Sequence, residues 1–161
     1  HLQCVQDDIT DTRLPPGYFD RILCTEVIEH IEDSQAALAG LRSLLSDSGV
    51  LILSTPQRYS PLELCAKVAF LPGIIQIVRW IYREPIIETG HINLLTEREL
   101  ERQLQTAGRR TSEQFKSGFY LPLVAELLGG TGQRFLRWCE SRLRGSWLSG
   151  LLWTQYRVLG K

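Results

Sequence analysis

The 161-residue chain contains no methionine. His1 is therefore not read as a translational start, and the natural start is expected upstream of it. No Cys-x-x-Cys spacing occurs either. Cys4, Cys24, Cys65 and Cys139 stand singly, which excludes a zinc ribbon or a thioredoxin-like redox pair built on that pattern. Cys4 and Cys24 fall in apolar, strand-like runs, where a reduced thiol packs as a small hydrophobe, and a reducing, cytoplasmic compartment is expected. No stretch has the pattern of a signal peptide. A long uncharged run is also missing. Leu62 to Tyr82 is the most apolar segment, but Glu63, Lys67 and Arg79 interrupt it and Pro72-Gly73 breaks it. A spanning helix needs about 20 nearly uncharged residues, so two short helices, buried or lying on a surface, are expected instead.

Net charge is absent overall but not locally. Residues 1–108 hold 9 basic and 15 acidic side chains, a net of −6, whereas residues 109–161 hold 9 basic and 3 acidic, a net of +6. The basic third reads either as a surface for an anionic or interfacial partner or as an ordinary solvated face. At 43% hydrophobic and 22% charged, the composition suits one folded domain with a sizeable core.

Hydrophobic patterning divides the chain further. Leu2 to Gln6 alternates weakly before Asp7-Asp8 and reads as a strand and an acidic turn. Phe19 to Thr25 reads as a mostly buried strand. Ser34 is the expected N-cap of a helix that presents Ala37, Leu38, Leu41, Leu44 and Leu45 at helical spacing and stops at Ser48-Gly49. Val50 to Leu53 is an apolar run of the kind buried in parallel sheets. Strand, helix and strand with short links predict a βαβ unit. Further on, residues 60–83 read as apolar helical segments, and Thr96 and Glu99 form a capping box for a helix through Leu100 and Leu104 that ends at Gly108. Arg110 to Phe115 reads as a strand, residues 120–145 as one or two helices broken at Gly129-Gly130, and Leu151 to Leu159 as a last strand, although Trp147, Trp153 and Tyr156 also suit a helix.

The order of these motifs resembles a known family. Val5 to Ile9, then Phe19 to His30, which ends in Thr25-Glu26-Val27-Ile28-Glu29-His30, then Leu45 to Pro56, then His91 to Gly108 are together similar to class I S-adenosylmethionine-dependent methyltransferases. The branch they most resemble includes the ubiquinone-biosynthesis O-methyltransferases. The likeness covers about the first two thirds of the chain and rests on four motifs in order, none specific alone. It implies an α/β fold: a Rossmann-like sheet with helices on both faces, incomplete at the N-terminus. It also implies a single domain over 1–161, with 60–95 and 117–150 covering the acceptor site.

The resemblance implies site residues as well. Asp8 matches the acidic residue beside the adenine, with the amide of Ile9 donating to the ring, and Thr25 matches the position along the methionine part of the cofactor. In open α/β sheets both fall at the carboxyl ends of strands, where ligands bind. The alternative for Asp8 is an acidic residue in a solvated turn. Glu26, Glu29 and His30 match a Glu-x-x-Glu-His pattern that holds a divalent cation in some relatives, and two carboxylates and an imidazole suit Mg²⁺, Mn²⁺ or Zn²⁺. The alternative is that the same residues cap the following helix and close the cofactor pocket. His30 and His91 are the candidate general bases, and His91 is also a candidate fourth ligand.

The implied function is methyl transfer from S-adenosylmethionine to a small-molecule acceptor, most simply at oxygen. A hydrophobic or membrane-borne acceptor suits the apolar 60–83 segment and the Arg- and Trp-rich tail, and peripheral membrane contact goes with it. Ordinary core packing is the alternative for both, and no nucleic-acid partner is expected. A non-catalytic Rossmann-like module that binds a partner or a membrane surface is the other reading of the chain.

The family's glycine-rich loop has no counterpart, since no Gly-x-Gly occurs before residue 49, and the acidic residue that would hold the ribose is absent too. In the family's sheet order, 3-2-1-4-5-7-6, the missing strands separate the third from the fourth. The Leu2–Asp7 strand is thus expected to be detached and the Arg21–Thr25 strand to have an open edge, with weak cofactor binding by this chain alone.

Overall fold

The computed structural model describes residues 2–82, 91–108, 110–122 and 124–160. Its centre is a four-stranded mixed sheet of β1 (Phe19–Thr25), β2 (Leu45–Pro56), β3 (Arg110–Ser117) and β4 (Thr154–Gly160), in the order β1-β2-β4-β3. β1 and β2 are parallel, while β4 runs antiparallel to both β2 and β3. This is the order expected of the fourth, fifth, seventh and sixth strands in the sheet that the resemblance implies.

Helix α1 (Ser34–Leu44) makes the crossover between β1 and β2. Its Ala37, Leu38, Leu41 and Leu44 are buried as their spacing predicts. The cap lies one residue earlier than expected: Asp33 accepts from the Ala36 amide at 2.9 Å. The Ser34 hydroxyl instead donates to Gln103 of α4 (Glu97–Thr106). The helix also ends earlier, because Leu45 already pairs with Phe19 in the sheet and β2 therefore begins before Ser48-Gly49. Both parts of the predicted capping box are present at α4, which turns out of its helix at Gly108 with φ of 70°.

The core lies between α1, α4 and one face of the sheet, where Leu38, Leu41, Leu51, Leu53, Leu100, Leu104 and Leu159 cluster with Cys24. On the other face the register aligns Leu23, Ile52, Val158, Tyr156 and Phe115. Leu23, Ile52 and Phe115 are exposed there. The expected strand at Leu2–Gln6 does not form: these residues lie outside any strand, and Leu2 is 94% exposed. A strand without a neighbour has no ladder to satisfy its backbone and no face to bury. Cys4 is accordingly exposed, against the expectation of a packed thiol, whereas Cys24 is buried. The segment does close on itself, with Thr12 donating to Asp7 and the Ile9 backbone pressed against Gly40 of α1.

The apolar segment after β2 forms α2 (Pro61–Ala69) and α3 (Ile74–Tyr82), bent by 104° where Pro72-Gly73 interrupts them. No single helix among the described residues is long and apolar enough to cross a membrane. Helix α5 (Val124–Leu143) is broken at Gly129, where φ is 52° and ψ is −133°, as the Gly129-Gly130 pair predicts. The predicted cover segments include α2–α3 and α5, and residues 83–90 and 123 of them lie outside the described residues.

Candidate functional site

The carboxyl ends of β1 and β2 lie side by side, with Thr25 aligned with Ser54. The chain leaves β1 through Glu26, which has a φ of 52° and is the one non-glycine residue described with positive φ. A left-handed conformation costs about 1–2 kcal/mol for a side-chain-bearing residue, and such strain gathers at functional sites. Two hydrogen bonds hold it: the Glu26 amide donates to the Ser54 carbonyl at 3.1 Å, and the Ser54 hydroxyl donates to Glu26 Oε1 at 2.8 Å. Burial pushes the Glu26 carboxyl above its ordinary value. The Ser54 hydrogen bond and the charge of His91 work against that push, and Glu29 and Glu63 add to it.

A short 3-10 turn, Ile28–His30, follows and drives Ile28 and Glu29 fully inward. Glu29 Oε2 accepts from the Thr55 hydroxyl at 3.2 Å, but Glu29 Oε1 is buried without a hydrogen-bond partner. His30 Nε2 lies 4.0 Å from that oxygen. The amides of Ile92 and Asn93 both donate to the Glu29 carbonyl at 3.0 Å, and the Asn93 side chain donates to Ile31. These bonds lay the 91–95 segment across the turn, so the rings of His30 and His91 come to 5.1 Å apart. One ligand atom each from Glu29, His30 and His91 lies within 4.8 Å of the others.

Among the sequence-predicted residues, the structure thus gathers Glu29, His30 and His91. Glu26 lies beside that cluster but outside it, with one oxygen engaged by Ser54. Asp8 is exposed in a turn, where its Oδ1 accepts from both the amide and the hydroxyl of Thr10. Those bonds hold its carboxyl below the ordinary value. The pocket at Asp8 is lined by Gln6, Asp7, Asp11 and Arg13, without Thr25. Ile9 packs against the main core beside α1, and Thr25 is exposed at the end of β1.

Sequence reasoning took Glu63 only as a charge interrupting an apolar run. In the structure it is buried in the first turn of α2. Its Oε1 accepts from the Trp153 indole at 3.0 Å and lies 3.3 Å from Nδ1 of His91. Beside it opens a cavity of about 210 Å³ lined by Glu63, Lys67 and His91 together with Ala66, Phe70, Leu71 and Leu94. That volume is of the order that holds one aromatic ring.

A family model described as a methyltransferase domain matches residues 2–113. A ubiquinone biosynthesis O-methyltransferase of Xanthomonas campestris is 44% identical over 43 residues, which is 27% of this chain and 18% of that protein. Among solved structures, a Thermotoga maritima S-adenosylmethionine-dependent methyltransferase, described as a possible histamine N-methyltransferase, aligns with a TM-score of 0.62 at 16% identity. That alignment covers 98% of this chain and 63% of the other. An S-adenosylmethionine-dependent methyltransferase of Archaeoglobus fulgidus aligns with a TM-score of 0.57 at 16% identity over 98% of this chain and 66% of its own length. The chain therefore spans less than two thirds of the length of these proteins.

Proposed function

The chain belongs to the methyltransferase domain family, and from that premise we propose that it supplies the acceptor side of an S-adenosylmethionine-dependent methyl transfer to the oxygen of a small, hydrophobic molecule. The observation that carries this reading is the Glu29–His30–His91 cluster at the end of the parallel strand pair, next to the cavity beside α2. S-adenosylmethionine, when bound, supplies a methyl group already activated on sulfur. What remains for the protein is to align the acceptor and to take its proton. The cavity orients an aromatic hydroxyl with the ring among Phe70, Leu71 and Leu94 and the oxygen toward His91. Where no cation occupies the cluster, His91 or His30 receives the proton at a ring nitrogen. Thr25, at the tip of β1, and Asp8 with Ile9 are the positions that the resemblance assigns to the cofactor side.

Glu29, His30 and His91 fit a divalent cation. Among the described residues four buried side-chain polar atoms lack a hydrogen-bond partner, and Glu29 Oε1 is the one that belongs to a carboxyl group. A carboxylate and two imidazoles suit Zn²⁺ or Mn²⁺. Such an ion, when bound, supplies Lewis acidity that lowers the pKa of the acceptor hydroxyl.

The exposed apolar residues Leu64, Val68, Ile77 and Trp80 on the bent α2–α3 pair, with Leu71 between the two helices, support an acceptor drawn from a lipid surface. They equally favour the second reading, a non-catalytic module that docks there. Methyl transfer by the protein expressed from its complete gene separates the two. Labelled S-adenosylmethionine should methylate small phenols in preference to amines, and His91→Ala should lower that rate at least about 100-fold, the scale of general-base loss. Transfer to amines alone would refute oxygen as the target. Absence of any transfer, with vesicle sedimentation retained, would leave the module.

A further inference from the structure

Glu63 stands outside the metal and base cluster, yet among the described residues it is the carboxylate in contact with His91 Nδ1, at 3.3 Å from Oε1 and 3.5 Å from Oε2. It has little freedom to be elsewhere. Its amide donates to the N-cap hydroxyl of Ser60, its Oε1 accepts from Trp153 just before β4, and its side chain is buried. We infer that Glu63 is the positioning residue that fixes His91 in the Nδ1–H tautomer, leaving Nε2 as the nitrogen offered to a cation or to an acceptor hydroxyl. This deepens the function proposed above and rests on it for what Nε2 then does; the tautomer itself does not depend on it. A carboxylate that accepts from one ring nitrogen raises the basicity of the other and stops the ring from turning.

The assignment also gives α2 a second role. The same side chain ties the first turn of the apolar cover to the last strand and to the His91 segment, so an acceptor that seats beside α2 meets an imidazole whose direction is already set. Neutral Gln at this position would reverse the arrangement. The Trp153 indole N–H would keep the amide oxygen, the NH₂ group would face Nδ1, and Nδ1 would then have to accept.

Long-range proton–nitrogen spectra of His91 in the ¹⁵N-labelled chain, above about pH 8.5 where an ordinary imidazole is neutral, read the tautomer directly. The wild type should show Nδ1–H and Glu63→Gln a shift toward Nε2–H. Glu63→Asp keeps the charge at shorter reach and should stay with Nδ1–H. Calorimetry with Zn²⁺ alone should give affinity about 10–100-fold weaker in Glu63→Gln. Nε2–H in the wild type, or an unchanged tautomer in folded Glu63→Gln, overturns the inference. The wild-type spectrum and Glu63→Asp decide it if the Gln variant does not fold. Nδ1–H in the wild type without any Zn²⁺ binding would uphold the tautomer and count against the cation instead.

Discussion

Glu29 and Arg157 are both charged side chains shut away from solvent, at 0% and 1% exposure, yet their surroundings differ in kind. Arg157, on β4, faces α4. Its guanidinium donates to Glu97 at 3.4 Å and to the Tyr156 carbonyl at 3.0 Å, and its Nε lies 3.9 Å from Glu101. Lys116 adds a 2.7 Å contact to Glu97 and completes the network. Burial pulls the Arg157 pKa down, while Glu97 and Glu101 resist the pull. Glu29 has a single hydroxyl on one oxygen and no partner on the other. A buried charge that two carboxylates compensate joins α4 to β3 and β4, even though Arg157 Nε itself lacks a hydrogen bond. One with an open oxygen between two imidazoles has the form of a binding site.

The largest effect expected from this contrast is on stability at the Arg157 end. Converting Glu97 and Glu101 together to Gln leaves the guanidinium buried and uncompensated. This should cost about 2–3 kcal/mol in urea unfolding, under the full penalty of a broken buried pair because both carboxylates are partly solvated. Glu29→Gln should change stability by less than about 1 kcal/mol, since the amide can still accept from Thr55 and the buried charge is gone. A loss of 3 kcal/mol or more there, on the scale of a broken buried pair, would make Glu29 a structural partner like Arg157.

Acid should separate the two ends as well. Burial pushes the Glu97 carboxyl up, but the hydrogen bond from Lys116 and the charges of Lys116 and Arg157 outweigh it and hold the group below its ordinary 4.5. A depressed folded value means that its stabilisation is complete above the unfolded value and is lost as pH falls through the folded one. The stability gap between wild type and the double Gln variant should hold from neutral pH to about 5 and shrink below about 4.3. A gap that closes already at pH 6 would contradict the network. The smallest effect belongs to Glu26, whose carboxyl is raised chiefly by burial. Here the sign reverses: the fold favours the protonated form, so Glu26→Gln should be slightly stabilising at pH 7 and neutral in acid. A loss of stability at pH 7 would mean that the charge itself is needed.

Much of this architecture was legible because it is local. Leu38, Leu41, Leu51 and Leu53 carry the periods of a helix and a buried strand, Thr96 and Glu99 sit three apart, and Gly129-Gly130 marks a break, so each element follows from its own residues. Glu29 and His30 were singled out with Glu26 through the family pattern Glu-x-x-Glu-His, and His91 through a separate motif; the structure brings Glu29, His30 and His91 together and leaves Glu26 beside them. Leu2–Gln6 misled because a strand pattern says nothing about whether a neighbouring strand is there to pair with it. Cys4 followed it into solvent. Glu63 was hidden by its own context: Ser60-Pro61 followed by Glu63 reads as a helix start, and nothing at residue 63 signals a histidine 28 positions on or an indole 90 positions on. Such contacts exist only once β2, β4 and α2 have converged.

The central claim is that Glu29, His30 and His91 form a centre able to hold a cation on the acceptor side. Zn²⁺ titration of the chain by calorimetry, alongside Glu29→Gln, tests it most directly. The wild type should bind one equivalent, and Glu29→Gln should bind more weakly by more than the roughly 10–100-fold that a supporting partner would cost. Equal binding by both proteins, or none by the wild type, would contradict it.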